Sequence, residues 1–525
     1  MNKYSRKRSD YKIKQHSLIK GAFILMLAGL FNRILGFVLR MILVRVIGDE
    51  GLGLFQMVFP VFITCSIITT MGLPVAISKF TSQEMANKNY QTVLKNFKLA
   101  ISLVIVSSVV VVFIFTNSAE FIANNLLNDP RTYPILLTVA PALFFVSISS
   151  ILRGFFQGLR IMTPTAVSQI IEQITRMIVT LFVLYKLIDA PLKLKATGVA
   201  IGVTIGEAVG FLALVLIFFF YLPEVKKNCS ESSTRTSFVL IKKLLKFGVP
   251  ITLGRLVASL MYSVEAIAIP GKLQQIGYSV SEATSLYGQL SGMVLQLIYL
   301  PTIITIALMS NLIPAISESA AHNNQQAIRK KSLEAIRLTF YLGMLAVVIL
   351  FLVPHQITDL IFNYPQAGEY LRLLALPAIF MYLSQIFAGI IQGLGKPNLV
   401  VRNSIVGLAI ELAIIQSVTL FPQLGFHLII LAIGSRYIII SLLHYGSINN
   451  RVKLQIPIIH LIFKPILASS LVVAILPQLY KLIYYMSNSD LISLAVSITL
   501  SSSFYFTFLV LTNGITGEDL ERLKP

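Results

Sequence analysis

Stretches of about twenty apolar residues, the length that carries a helix across a bilayer, recur from one end of the chain to the other. They begin near residues 20, 52, 97, 133, 165, 197, 248, 284, 338, 370, 398, 426, 461 and 491. A soluble domain cannot hide so much apolar surface. Of the 525 residues, 56% are hydrophobic and only 12% charged, against about 25% charged in soluble proteins, and the mean hydropathy is +0.80. The expectation is an all-α membrane protein with about fourteen transmembrane helices.

The net charge of +21 is distributed between these segments, and on alternate sides. One set of loops carries Lys79, Lys88, Lys95 and Lys98, then Arg153 and Arg160, then Lys226, Lys227, Arg235, Lys242, Lys243 and Lys246. The same side continues with Arg329, Lys330, Lys331 and Arg337, then Lys396 and Arg402, then Arg451, Lys453 and Lys464. This is the positive-inside pattern. It predicts a multi-pass protein of the cytoplasmic membrane with both termini cytoplasmic and argues against a nucleic-acid partner. The basic stretch from Lys3 to Lys20 resembles the start of a signal peptide, but no convincing small-residue cleavage site follows, so a retained first span is expected. Cys65 lies in a span and Cys229 in a loop on the basic side, so no disulfide is expected.

An internal repeat organises the chain. "APALFFVSISSILRGFFQGL" (140–159) matches "LPAIFMYLSQIFAGIIQGL" (376–394), pairing Pro141 with Pro377 and Gly154 with Gly389. Upstream, "GLPVAIS" (72–78) echoes "LIPAIS" (312–317), and "TIGEAVGF" (204–211) faintly echoes "AIGSRYII" (432–439). The offset corresponds to six spans. An even number preserves orientation, so the two copies are parallel repeats, the layout of a two-lobed transporter. The resulting division is a basic tail (1–19), an N-lobe (20–222), a cytoplasmic linker (223–247), a C-lobe (248–448), two additional spans (449–512) and a cytoplasmic tail (513–525).

Charge inside the spans is the main functional signal, because it is expensive there. The first span, "GLFNRILGFVLRMILVRVIG" (29–48), carries Arg33 and Arg40, seven residues apart and therefore on one helix face. Arg45 sits near the outer end, where it can snorkel. Two roles are open for Arg33 and Arg40: lining a wet cavity, or pairing with Glu207 and Glu411. Glu172 and Arg176 stand at i, i+4 and are expected to form an intrahelical ion pair. Arg255, Glu265, Glu207, Glu411 and Arg436 are single charges in their spans, and Gln289 is a polar residue in the eighth. Of these, Arg255, Gln289, Glu207, Glu411 and Arg436 join Arg33 and Arg40 as substrate-binding candidates. The six histidines are scattered without ligand spacing, and no phosphate loop with a lysine is present. No metal site, no cofactor and no catalytic constellation is expected.

The blocks "FNRILGFVLRMILVRVIGDEGLGLFQM", "MGLPVAISKF", "EATSLYGQLSGM", "LPTIITIALMSNLIPAISESAA" and "QGLGKP" resemble the stage V sporulation protein B group. That group belongs to the polysaccharide-biosynthesis branch of the multidrug/oligosaccharidyl-lipid/polysaccharide exporters. The resemblance spans essentially the whole chain. It implies two six-helix lobes forming a V around a central cavity, alternating access, and kinship with the lipid II flippases, which use cavity arginines. Arg33 matches the first of these. The second falls on Leu39, with Arg40 one place later. The arginine pair of their second span falls near Ile67 and Ile68, and the single arginine of their eighth span near Gln289 and Leu290.

The sequence therefore predicts a flippase for an undecaprenyl-pyrophosphate-linked cell-wall precursor of peptidoglycan or spore-cortex type, not an enzyme. Its expected partners are that lipid-linked glycan and membrane lipids, with cell-wall synthesis proteins as further candidates, and a monomer is expected. The alternatives are a multidrug efflux transporter of the same superfamily and a non-transporting scaffold for wall synthesis. A polytopic glycosyltransferase would need acidic or histidine clusters in large outer loops, and the outer loops here are short.

Overall fold

A computed structural model describes residues 18–227, 237–454 and 459–514. The basic stretch up to residue 17, Cys229 and Arg235 of the expected linker, and the tail from residue 515 lie outside the described residues. Among the described residues every regular element is helical. Among the described residues, thirteen helical stretches are long and apolar enough to cross a membrane, judged by length and composition. The first of them, Phe23–Ala86, contains the break at Gly48, and the count is close to the about fourteen expected. Large apolar side chains such as Val106, Phe113, Phe182 and Phe220 lie exposed on their outer faces. That surface suits lipid, where an apolar exterior carries no penalty.

The chain forms two compact units, residues 1–267 and 268–525. The N-terminal unit contains α1 (Leu18–Thr70), α2 (Leu73–Ala86), α3 (Tyr90–Asn117), α4 (Tyr133–Gly158), α5 (Thr163–Lys186), α6 (Leu192–Lys227) and most of α7 (Ser237–Gln275). Both flanks of the 223–247 segment are thus helical. The boundary between units falls inside α7 rather than in that segment.

Gly48 breaks α1 with φ 69° and ψ −175°, a backbone region open to glycine at little cost. The break is tied down by charge. Arg131 contacts Glu50 at 2.5 Å and Asp129 at 2.7 Å, and Asp129 is fully buried. The core of the unit lies among α2, α3, α4 and α6, where Ile77, Phe97, Phe155, Phe156 and Leu214 meet. Phe97 stacks at 4.5 Å from Phe155 and 4.9 Å from Phe218, centroid to centroid.

The C-terminal unit continues with α8 (Val280–Tyr287), α9 (Thr302–Ala321), α10 (Gln325–Leu352), α11 (Ala367–Gly393), α12 (Pro397–Ser417), α13 (Gly425–Val452), α14 (Lys464–Ser487) and α15 (Asp490–Leu511). A capping box between Ser279 and Glu282 starts α8, and a wider π-helical turn over Gly288–Val294 follows it. The last two helices pack on each other and dock on α10, where the Tyr505 hydroxyl donates to the Tyr341 carbonyl at 2.8 Å.

The two matching sequence blocks pack alike. In the N-terminal unit α4 lies so close to α2 that a Cβ on Gly154 would strike the Pro74 carbonyl, and one on Gly158 would come 2.6 Å from Thr81 Cβ. In the C-terminal unit α11 lies on α9 the same way: a Cβ on Gly389 would stand 2.5 Å from Met309 Cγ, and one on Gly393 2.7 Å from Ile316 Cβ. The repeated glycines serve close helix approach, once in each unit.

Candidate functional site

The site is built from α1, α5 and α6 of the N-terminal unit. Helix α6 carries Gly202, Gly206 and Gly210 at four-residue spacing, which places them in one row on its surface. Each makes room for α5. A Cβ on Gly206 would lie 2.9 Å from Arg176 Cβ, one on Gly210 2.9 Å from Glu172 Cβ, and one on Gly202 would overlap the Thr180 side chain. The glycine row draws the two helices together along the charged face of α5, and Glu207, next to Gly206, reaches across.

The result is a chain of ion pairs. Arg153 Nη2 donates to Glu172 Oε2 at 2.7 Å, and Arg176 Nη2 donates to Glu172 Oε1 and to Glu207 Oε1, each at 2.8 Å. Arg176 also reaches Gln173 Oε1 at 3.5 Å. Two guanidiniums face two carboxylates, so the chain is neutral in itself. Paired charge of this kind is tolerated away from water, whereas a single uncompensated charge costs several kcal/mol, about 3–5 when one partner is removed.

Arg40 stands outside this balance. It shares a recess of about 120 Å³ with Gln173, Arg176 and Thr180, walled by apolar side chains such as Leu43, Phe55 and Val203. Its Nη1 is buried and meets no acceptor. Arg33, two turns earlier, is exposed, and among the described residues it makes no ion pair.

The structure therefore separates residues that sequence grouped. Glu207 and Glu411 are not the partners of Arg33 and Arg40. Glu207 is held by Arg176, and Glu411 pairs in the C-terminal unit with Arg436 at 2.9 Å, both side chains almost wholly buried. Glu172 and Arg176 meet as an i, i+4 pair, and the contact extends to two further residues. Arg255 is exposed on α7, and Gln289 is buried in the π-helical turn.

Among the residues counted as basic loop residues, Arg153 lies inside α4 and binds Glu172, a role sequence reading missed. Its position within an apolar helical run was the available signal. Thr180 and Gln173 gave none, since isolated hydroxyls and amides are ordinary in such helices. Among the described residues no group of histidine, cysteine, aspartate and glutamate could hold a metal ion.

A chain of apolar helices in two units, with its intramembrane charges largely resolved into ion pairs, is a multi-pass membrane protein. The chain belongs to the polysaccharide biosynthesis protein family, whose sequence profile matches residues 18–320. The MatE profile matches residues 289–416. Stage V sporulation protein B of Bacillus subtilis (strain 168) is 28% identical over 512 residues, covering 97% of this chain and 98% of that protein. Lipid II flippase MurJ of the same organism is 27% identical over 419 residues, 76% of each chain. Among solved structures, lipid II flippase MurJ in an inward closed conformation aligns with a TM-score of 0.67 at 16% identity, covering 92% of this chain and 98% of that one, so the fold is shared. The activity named among these relatives is that of a flippase, a membrane transporter and not an enzyme.

Proposed function

We propose that the protein moves an undecaprenyl-pyrophosphate-linked cell-wall precursor, of the peptidoglycan or spore-cortex type, outward across the cytoplasmic membrane by alternating access. One observation carries the reading: α1 bears two arginines without a carboxylate partner, while Glu172, Glu207 and Glu411 are all engaged by other arginines. An arginine within a span costs about 2.5–3.5 kcal/mol on insertion scales, and an anionic ligand offsets that cost. A diphosphate suits it, because the guanidinium fork matches phosphate oxygens and the interaction strengthens where water is excluded. Arg33, exposed and unpaired, is the contact, and Arg255, exposed on α7 of the same unit, is the second candidate. Similarity to stage V sporulation protein B and to a lipid II flippase supports a lipid-linked glycan as the cargo.

A multidrug exporter of cationic compounds would want a free carboxylate, and the intramembrane glutamates named above are already taken. The test is translocation of undecaprenyl-linked substrates in proteoliposomes holding wild type or Arg33→Ala. The expected result is transport by wild type and a loss of about tenfold or more in the variant, the worth of a charged hydrogen bond. Equal transport by both removes Arg33 from the site. Absence of transport by wild type, with every lipid-linked glycan tried, sinks the proposal.

A further inference from the structure

The recess beside Arg40 has a chemistry of its own. Three of the four polar side chains that line it carry a buried nitrogen or oxygen that makes no hydrogen bond: Arg40 Nη1, Arg176 Nε and Thr180 Oγ1. All three can donate a hydrogen bond. The nearby charges do not cancel. Among the described residues Glu172 and Glu207 pair with Arg153 and Arg176, and no ion pair involves Arg40, which leaves one positive charge. Buried donors without acceptors are destabilising, and a buried charge is more so unless it is paired. A single anion would offset both.

Size and lining narrow the choice. About 120 Å³ holds a small ion with part of its hydration, far below the ~300–1,000 Å³ of pockets that take drug-sized ligands. A glycan diphosphate does not fit. The walls are leucine, valine and phenylalanine, so a weakly hydrated monovalent anion loses less on entry than a multivalent one. We infer that this recess between α1, α5 and α6 is a binding site for a monovalent inorganic anion of the halide class, with Arg40 supplying the charge and Thr180 and Arg176 the further donors. The bound ion makes the intramembrane charge of the helix cluster zero. The inference is independent of the cargo, since it concerns an equilibrium site that no lipid need occupy.

The experiment is thermal unfolding of the purified full-length protein in detergent, followed by helical circular dichroism. Sodium chloride or bromide replaces sodium gluconate at constant ionic strength, and inorganic pyrophosphate serves as the competing anion. Ligands that bind only the folded state raise its melting temperature saturably. Wild type is expected to show such a rise with both halides and none with pyrophosphate. Arg40→Gln should weaken the apparent halide affinity by about tenfold or more, and Thr180→Val, which preserves shape, by several-fold, while Arg33→Gln leaves it unchanged. If Arg40→Gln does not fold, Thr180→Val decides. The inference is overturned by a wild type indifferent to halide, by variants at Arg40 and Thr180 that respond like wild type, or by stabilisation with pyrophosphate in place of halide.

Discussion

Glu207 makes its contact with Arg176 at 2.8 Å and is almost wholly buried. Its removal leaves Arg176 with Glu172 alone and adds a second uncompensated positive charge. Breaking a buried pair from one side costs about 3–5 kcal/mol, whereas replacing both partners by apolar groups of similar volume is often neutral. Glu207→Gln is therefore expected to lower the melting temperature sharply. The double variant Glu207→Leu with Arg176→Met, which keeps the Arg153–Glu172 pair, should recover most of the loss. A double-mutant cycle on purified protein measures this, and a double variant as unstable as the sum of its singles would show that the two residues do not act as a pair. Sequence spacing exposed the Glu172–Arg176 neighbourhood, because i, i+4 is a property of one helix. It could not show that Arg153 and Glu207 complete it, because they come from other helices.

At the scale of elements, the glycine row of α6 decides how closely α5 can lie. Gly206→Leu would place its side chain against Arg176 and Glu172, and overpacking of this kind costs about 1–3 kcal/mol or more. The expected outcome is a lower melting temperature together with a loss of the halide response, since the recess opens when α5 moves. Gly254→Ala on α7, where a Cβ meets nothing within 4 Å, is the control. It should be neutral or stabilising by about 0.5–1 kcal/mol, as alanine is the better helix former. Thermal melts of both variants make the comparison. The helices themselves, and the break in α1, were partly legible. Apolar length locates nearly every span, with separate starts near residues 20 and 52 on either side of the break. Its division at Gly48 depends on one residue's backbone, held by Arg131 more than eighty positions away in the chain, a distance no local pattern carries.

For the whole molecule, the basic residues concentrate in one set of loops, and the positive-inside rule turns that asymmetry into an orientation. Both termini are expected in the cytoplasm. A fluorescent protein fused after Pro525 should fold and fluoresce, and an alkaline phosphatase at the same place should stay inactive. The same phosphatase inserted beside Asp189 should be active, and the opposite pattern would reverse the orientation. Composition, segment length and the repeated Pro/Gly blocks were enough to define a polytopic helical protein with two related halves, because these depend on the free energy of apolar surface in lipid and on local helix geometry. Which charges neutralise one another, and which arginine is left to seek an anion, were decided only in the tertiary structure. Pairing falls off within a few ångströms, and the partners are brought within that range by helix packing rather than by their order along the chain.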